Sequence, residues 1–248
     1  MPIFEWGDAE IHYEVHGSGH TLLLLAPGGM RSAARWWREQ PGAPGTRPRW
    51  INPMEDLSDH FRVIAMDQRN AGASSAPIRA GDGWQTYLDD QLALMDHVGA
   101  ERFHVMGGCI GCSYALGLCR VAPERVTAAV LQNPIGRSGD NREAFFNMFD
   151  DWMAEMRPIH PEVDDRVAAS FREGMFGGDF VFTATEDFLR QCRTPLLVMP
   201  GDDNFHPRLV AEQITELAAG SQFLDPWGGE HRADTLRQVR TFLTANTP

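Results

Sequence analysis

Short apolar runs alternate along this chain of 248 residues with segments of helical periodicity, and this alternation constrains the fold most strongly. Strands that are buried on both faces have continuous apolar sequences of this kind. The runs are 21–26, 61–66, 103–106, 126–131, 195–199 and 222–224. Helical patterns occupy 85–98, 110–121 and 232–245. The alternation predicts βαβ units, and therefore an α/β fold with a mainly parallel twisted sheet and helices on both faces.

Three segments depart from this rhythm. Residues 3–15 alternate between apolar and polar around a Gly-Asp turn, which predicts an antiparallel hairpin. Residues 136–191 fall between two predicted strands and are too long for a simple connection. We interpret them as a small helical cap inserted after the sixth strand, so that 1–135 and 192–248 form the core. Residues 40–53 are rich in Pro, Gly and Arg and predict a long loop.

Composition narrows the class of partner. Apolar residues make up 43% of the chain and charged residues 23%, as in an ordinary globular enzyme. The formal net charge of −12 disfavours binding to nucleic acid or to an anionic membrane surface. The first residues lack the pattern of a signal peptide, so we expect a cytoplasmic protein whose four cysteines are thiols. We expect a small-molecule substrate, no cofactor and no metal, in a monomer or homodimer.

The strongest local signal is the sequence Met-Gly-Gly-Cys-Ile-Gly at 106–111, between a predicted strand and a predicted helix. A nucleophile elbow needs small residues on both sides, because the turn is tight and the helix packs close to the strand. Three glycines meet that need here. The helix N-terminus also lowers the pKa of a thiol at this position. The pattern therefore predicts that Cys109 is a nucleophile.

Other interpretations of Cys109 remain open. A free cysteine is often a small apolar core residue. Cys109 and Cys112 also form a C-x-x-C pattern at a helix start, which is how redox cysteines are placed. Zinc is a weaker hypothesis, because Cys119 and Cys192 do not supply a second ligand pair at a suitable spacing.

A cysteine that attacks a carbonyl needs a base, and the base needs an orienting acid. For a nucleophile on an elbow the order along the chain is nucleophile, acid, histidine. His231 follows two glycines in a loop between the last predicted strand and the last predicted helix. These features predict that His231 is the base, with His206 as the next candidate.

The acid is expected in the loop after the strand 195–199. Asp202 and Asp203 both lie there, and Asn133 and Asp140 after the preceding strand are weaker candidates. Successive side chains leave an extended backbone on opposite sides, so only one of the two aspartates can face the base. The residues alone leave the choice between Asp202 and Asp203 open, and Pro207 lies four positions after Asp203.

Backbone N–H groups are expected to bind the oxyanion of the tetrahedral intermediate. One should be that of Ile110, directly after the nucleophile. The other should come from the glycine-rich loop after the first buried strand, where Gly29 and Met30 are equally good candidates.

Five segments together resemble the α/β-hydrolase superfamily, in its capped, epoxide-hydrolase-like and esterase-like branch. They are 27–29, 67–74, 107–111, 201–207 and 228–231. The resemblance covers nearly the whole chain and implies the fold and the position of the site. It also implies that Asp203 is the acid, because in this family's loops a proline, here Pro207, follows the acid at the fourth position. Two departures are the cysteine at the elbow, where most members have Ser or Asp, and Asn70 in place of a glycine.

A cysteine nucleophile implies acyl chemistry through a thioester. Thiolate is a good leaving group, so the chemistry suits substrates whose own leaving group is good: activated esters, lactones and thioesters. The sequence therefore predicts a hydrolase for a small, largely apolar acyl substrate. An acyltransferase or lyase on the same site, and a binding protein without catalysis, are the alternatives. Four aromatic side chains are expected to contact the substrate, to pack the cap onto the core, or to do both: Trp36, Trp37, Phe149 and Trp152.

Overall fold

The computed structural model describes residues 2–41, 43, 45–46 and 48–248. Eight strands form one sheet in the order β1-β2-β4-β3-β5-β6-β7-β8. They are β1 (Ile3–Trp6), β2 (Ala9–His16), β3 (Thr21–Leu25), β4 (Arg62–Met66), β5 (Phe103–Gly108), β6 (Val126–Gln132), β7 (Leu196–Met199) and β8 (Ser221–Phe223). The pairs β1·β2 and β2·β4 are antiparallel and the others are parallel. This arrangement confirms the predicted fold class.

Eight α-helices are present among the described residues. They are α1 (Pro53–Asp56), α2 (Trp84–His97), α3 (Ile110–Val121), α4 (Arg142–Met156), α5 (Asp165–Phe176), α6 (Glu186–Gln191), α7 (Arg208–Leu217) and α8 (Arg232–Ala245). The sequence patterns predicted α2, α3 and α8 to within one residue of their bounds. Neither α1, which begins at the last residue of the predicted loop 40–53, nor α7 was predicted. Residues 42, 44 and 47 of that loop lie outside the described residues.

Two apolar clusters cover the two faces of the sheet. Alternate residues of a strand point to opposite faces, so Leu23 and Leu25 join one cluster and Leu22 and Leu24 the other. All four leucines are fully buried. Burial on both faces explains why the central strands have continuous apolar sequences instead of alternating ones.

Three helices, α4, α5 and α6, lie between β6 and β7 and occupy the segment 136–191. Local chemistry sets where two of them begin, because the Asp164 side chain accepts a hydrogen bond from the Val167 N–H and Thr185 accepts one from the Phe188 N–H. Helix α4 packs against α5 and against a 3₁₀ turn at Gly29–Arg31, which follows β3. The inserted segment thus reaches the loops at the carboxyl edge of the sheet. None of the helices in the described part of the chain combines the length and apolar character needed to cross a membrane.

Candidate active site

Cys109 occupies a sharp turn between β5 and α3. Its backbone has φ 54° and ψ −118°, a conformation that residues other than glycine rarely adopt. A Cβ atom at Gly107 would lie 2.2 Å from the Gly111 carbonyl oxygen, and one at Gly111 would lie 2.0 Å from the Leu25 carbonyl oxygen. Both positions therefore require glycine, as expected of a nucleophile elbow.

His206 is the histidine that the structure places against the Cys109 thiol. It lies in the loop between β7 and α7, and its side chain is largely buried. Its Nε2 atom is buried and has no hydrogen-bond partner among the described residues, so it is free to pair with the thiol, whose pKa it lowers. Gly201 allows this approach, because a Cβ there would lie 2.3 Å from the Cβ of His206 and 2.3 Å from Oδ1 of Asn133.

The thiol and the imidazole each change the pKa of the other. Burial raises the pKa of Cys109, but the charge of His206 and hydrogen bonds to the sulfur outweigh it, so the thiol pKa falls below its usual value. Burial lowers the pKa of His206, but the charge of Cys109 and the Asp203 carboxylate outweigh it, and the His206 pKa rises. Both shifts favour a thiolate beside an imidazolium.

Asp203 holds the other ring nitrogen of His206. Its carboxylate oxygens lie 2.8 and 2.9 Å from Nδ1, and Oδ1 also accepts hydrogen bonds from the backbone N–H groups of Phe205 and His206. The bond from His206 lowers the pKa of Asp203 to about 2. The predicted acid therefore contacts the histidine beside Cys109, although that histidine is not the predicted one.

His231 is not brought to Cys109. Its side chain is 43% exposed, and Nε2 lies 3.5 Å from a Glu230 carboxylate oxygen. The backbone at Gly228 and Gly229 turns toward Arg49 instead of the elbow, and the Gly229 N–H donates to the Arg49 carbonyl oxygen at 2.8 Å. His231 is also absent from the residues that line the cavity at Cys109. The structure thus places His206, and not the predicted His231, in the cavity with Cys109.

Two backbone N–H groups point at the Cys109 sulfur, those of Gly28 and Ile110. Ile110 is the residue expected from the sequence. The second N–H is that of Gly28, one residue before the predicted donors Gly29 and Met30, which belong to the 3₁₀ turn that follows. Gly29 still lines the cavity, whereas Met30 is buried and does not.

The Asp67 carboxylate holds together the chain segments that follow β3 and β4. It accepts hydrogen bonds from the Ala34 N–H at 2.7 Å and the Ala73 N–H at 2.9 Å, and it lies 3.0 Å from Nδ1 of His12. Asn70, which departs from the glycine of the family pattern, has φ 58°. Asparagine tolerates the left-handed region better than most residues, so the substitution preserves the turn.

A cavity of about 720 Å³ opens above Cys109. Its walls combine apolar side chains with a few polar groups. The lining residues include Trp36, Gln132, Asn133, Phe145, Met148 and Phe205, together with Cys109, Asp203 and His206. Of the four aromatic residues predicted to bind substrate, only Trp36 is among the lining residues.

The other three predicted residues do not line this cavity, because their side chains pack within the protein, which is the alternative that the sequence left open. Trp37 lies against Gly108 on the far side of the elbow. Phe149 and Trp152 are fully buried and pack edge-to-face with Phe171 of α5 at centroid distances of 5.2 and 5.8 Å. The first turns of α4, with Phe145 and Met148, reach the cavity instead.

Cys112 lies behind the elbow as a free, buried thiol. Its sulfur donates to the carbonyl oxygens of Gly107 and Gln132, both at 3.2 Å. Burial and the neighbouring Cys109 raise the pKa of Cys112 well above its usual value. The pKa values of the two cysteines in the C-x-x-C pattern are thus shifted in opposite directions. Within the described ranges, no three His, Cys, Asp or Glu side chains come together as possible metal ligands.

Comparison with known proteins gives the family. Residues 40–243 match the model of the α/β-hydrolase fold family. A protein from Azorhizobium caulinodans, named as a carbamate hydrolase RutD, is 33% identical over 139 residues, which are 56% of this chain and 46% of that protein. The match thus spans less than half of that relative. A protein of the same name from a Caulobacter species is 27% identical, with 88% of each chain covered.

Solved structures agree on the fold. The enol-lactonase from Burkholderia xenovorans has a TM-score of 0.67 at 21% identity, covering 98% of this chain and all of that one. A thermophilic esterase from Thermogutta terrifontis has a TM-score of 0.65 at 21% identity, covering 96% and 95%. At these identities the likeness establishes the fold and leaves the substrate open.

Proposed function

This chain belongs to the α/β-hydrolase fold family, and we propose that it hydrolyses an ester, lactone or thioester of a small acyl group through a thioester on Cys109. We propose His206 as the base and Asp203 as the acid that orients it. The observation that carries the proposal is that Cys109, on a strained elbow, lines one cavity with His206, whose Nδ1 is bound by the Asp203 carboxylate at 2.8 Å.

The first half-reaction forms the thioester. The Cys109 thiolate attacks the carbonyl carbon, and the electron pair of the C=O bond moves to the oxygen. The N–H groups of Gly28 and Ile110 stabilise this oxyanion, an effect worth about 10²- to 10³-fold in rate per donor in comparable sites. When the carbonyl reforms, the bond to the leaving group breaks, and the His206 imidazolium gives its Nε2 proton to the departing atom.

The second half-reaction uses the same groups in reverse. Neutral His206 takes a proton from water through Nε2, and the hydroxide formed attacks the thioester carbon. Collapse of the second tetrahedral intermediate expels the Cys109 thiolate and releases the acid. Asp203 keeps the proton of the ring on Nδ1 throughout, so that Nε2 is free to exchange protons with the substrate.

The cavity supports a small acyl group with apolar surface. Trp36, Phe145, Met148 and Phe205 supply that surface. We propose that the inserted segment 136–191 acts as a cap, since Phe145 and Met148 of α4 stand over Cys109. The curated relatives named as carbamate hydrolases and the lactonase and esterase neighbours are all named for cleavage at the carbonyl of a carboxylic or carbamic acid derivative, which agrees with attack on a carbonyl carbon.

Intact mass after mixing with p-nitrophenyl esters tests the proposal. The wild-type protein should release p-nitrophenolate in a burst and gain the mass of one acyl group, located on Cys109. Cys109→Ala should show neither. Cys112→Ala is the matched control and should retain both, because Cys112 is buried with a raised pKa. Acylation that persists in Cys109→Ala would refute the proposal.

A further inference from the structure

The side chain of Gln132 is a polar group in the cavity that the mechanism above does not use. Gln132 ends β6, is 2% exposed and is one of the residues lining the cavity with Cys109. Its Oε1 atom is buried and has no hydrogen-bond partner among the described residues. A buried oxygen of this kind is destabilising when unpaired, so a partner supplied by a ligand would be stabilising.

The backbone places this amide beside the nucleophile. Gln132 is paired in register with Gly108 on the adjacent strand. Its carbonyl oxygen accepts the Cys109 N–H at 3.0 Å and the Cys112 thiol at 3.2 Å. The main-chain oxygen of Gln132 is therefore occupied, and only its side-chain amide is left for a substrate.

The acyl part of the substrate is the part that this position can reach. The acyl group stays attached to Cys109 through both half-reactions, at the floor of the cavity. The leaving group departs toward His206, which protonates it. Gln132 lines the same cavity and its carbonyl oxygen accepts the Cys109 N–H, so we expect its side-chain amide to lie near the acyl group.

We propose that Gln132 determines specificity by accepting a hydrogen bond from a hydroxyl or N–H group on the acyl part, next to the reacting carbonyl. The substrate class is then hydroxyacyl or aminoacyl esters and thioesters, not plain fatty acyl ones. This inference rests on the proposed function. A site built to bind a polar group rejects the analogue that lacks it, because its own buried polar atom is then left unpaired.

The isosteric esters p-nitrophenyl glycolate and p-nitrophenyl propionate test this specificity, since a hydroxyl replaces a methyl group while the leaving group stays the same. The ratio of kcat/KM for the glycolate to kcat/KM for the propionate should fall at least about tenfold in Gln132→Met. A fall of this size corresponds to the loss of one hydrogen bond. Gln91→Met is the matched control. Gln91 is also fully buried with an unpaired Oε1, but it does not line the cavity, so its ratio should equal that of the wild type.

The wild-type protein alone provides a second measurement, which does not depend on a variant that folds. Its glycolate-to-propionate ratio should exceed the ratio for hydrolysis by hydroxide at least about tenfold. An unchanged ratio in Gln132→Met, or a wild-type ratio equal to that of hydroxide, would overturn the inference while leaving the hydrolase proposal intact. If neither ester acylates Cys109, the proposed function itself fails.

Discussion

Asp203 and His206 are separated by only two residues, so the proposed acid and base belong to one loop. The carboxylate is 59% exposed and is held by the ring of His206 and by backbone N–H groups of the same loop. Asp203→Asn should lower kcat/KM by about 10²- to 10⁴-fold, because the amide favours the wrong tautomer of the imidazole. Steady-state kinetics on one ester measures this.

Asp202→Asn is the matched control for that change. Asp202 is exposed, adjacent in sequence and absent from the cavity lining. It should retain nearly full activity. Equal losses in the two variants would mean that the carboxylates act only through their charge and that Asp203 does not orient His206.

The sequence predicted that Cys109, Asp203 and His231 come together. The structure places His206, and not His231, beside the other two. The elbow is a local pattern, because its glycines and its neighbouring strand and helix are contiguous. The choice of histidine depends on the path of two loops that are distant in sequence. Gly228 and Gly229 allowed His231 to approach the elbow, but they turn toward Arg49. Gly201, where a side chain would collide with His206, was the available signal for the alternative.

The elbow between β5 and α3 depends on close packing that a single methyl group should disrupt. A Cβ at Gly111 would lie 2.0 Å from the Leu25 carbonyl oxygen, which belongs to β3 and cannot move freely. Gly111→Ala should therefore lower the free energy of unfolding by at least about 2 kcal/mol. Denaturation in urea measures this. Gly81→Ala is the control, since nothing lies within 4 Å of its added Cβ, and a similar loss there would contradict the explanation.

Helix α4 divides its apolar side chains between the cavity and the packing against α5. Met148→Ala should enlarge the cavity and shift the preference toward longer acyl chains, because Met148 lines it. Trp152→Ala should instead destabilise the protein by about 3–5 kcal/mol with the preference little changed. A series of p-nitrophenyl esters of increasing chain length, measured beside thermal unfolding, separates the two. A shifted preference in Trp152→Ala would place that side chain in the site after all.

The pattern of apolar residues was sufficient to predict the strands but not the side-chain directions in α4. A continuous apolar run such as 21–26 has few stable arrangements other than a strand that is covered on both faces. In α4 nearly every turn carries large apolar residues, so periodicity could not distinguish the face toward α5 from the first turns over the cavity. Phe149 and Trp152 were therefore assigned to the substrate in place of Phe145 and Met148.

At the scale of the whole molecule, the buried His104 should make stability depend on pH. Burial lowers the pKa of His104 to about 3, and its ring nitrogens form hydrogen bonds with the hydroxyl groups of Thr127 and Thr247. The unfolded chain binds this proton near pH 6.5, as an unperturbed histidine does. Between these two pKa values the unfolded state holds one proton more, so this contribution to stability is present above pH 6.5 and is lost as the pH falls.

Urea unfolding at pH 7.5 and 5.0 tests this prediction. The loss of unfolding free energy between the two values should be about 2 kcal/mol greater in the wild type than in His104→Gln, which does not titrate. Equal losses in the two proteins would mean that His104 binds its proton as readily in the folded state as in the unfolded one.

The pairing of Cys109 with His206 is the claim on which the chemistry depends, and the pH dependence of Cys109 alkylation by iodoacetamide tests it most directly. The other three thiols are buried with raised pKa values and should react slowly. In the wild type, the rate at Cys109 should reach its plateau below the pKa of about 8.5 of an ordinary thiol. His206→Ala should move the midpoint up toward or beyond that value, and His231→Ala should leave it unchanged. A midpoint that moves in His231→Ala and stays in place in His206→Ala would contradict the pairing.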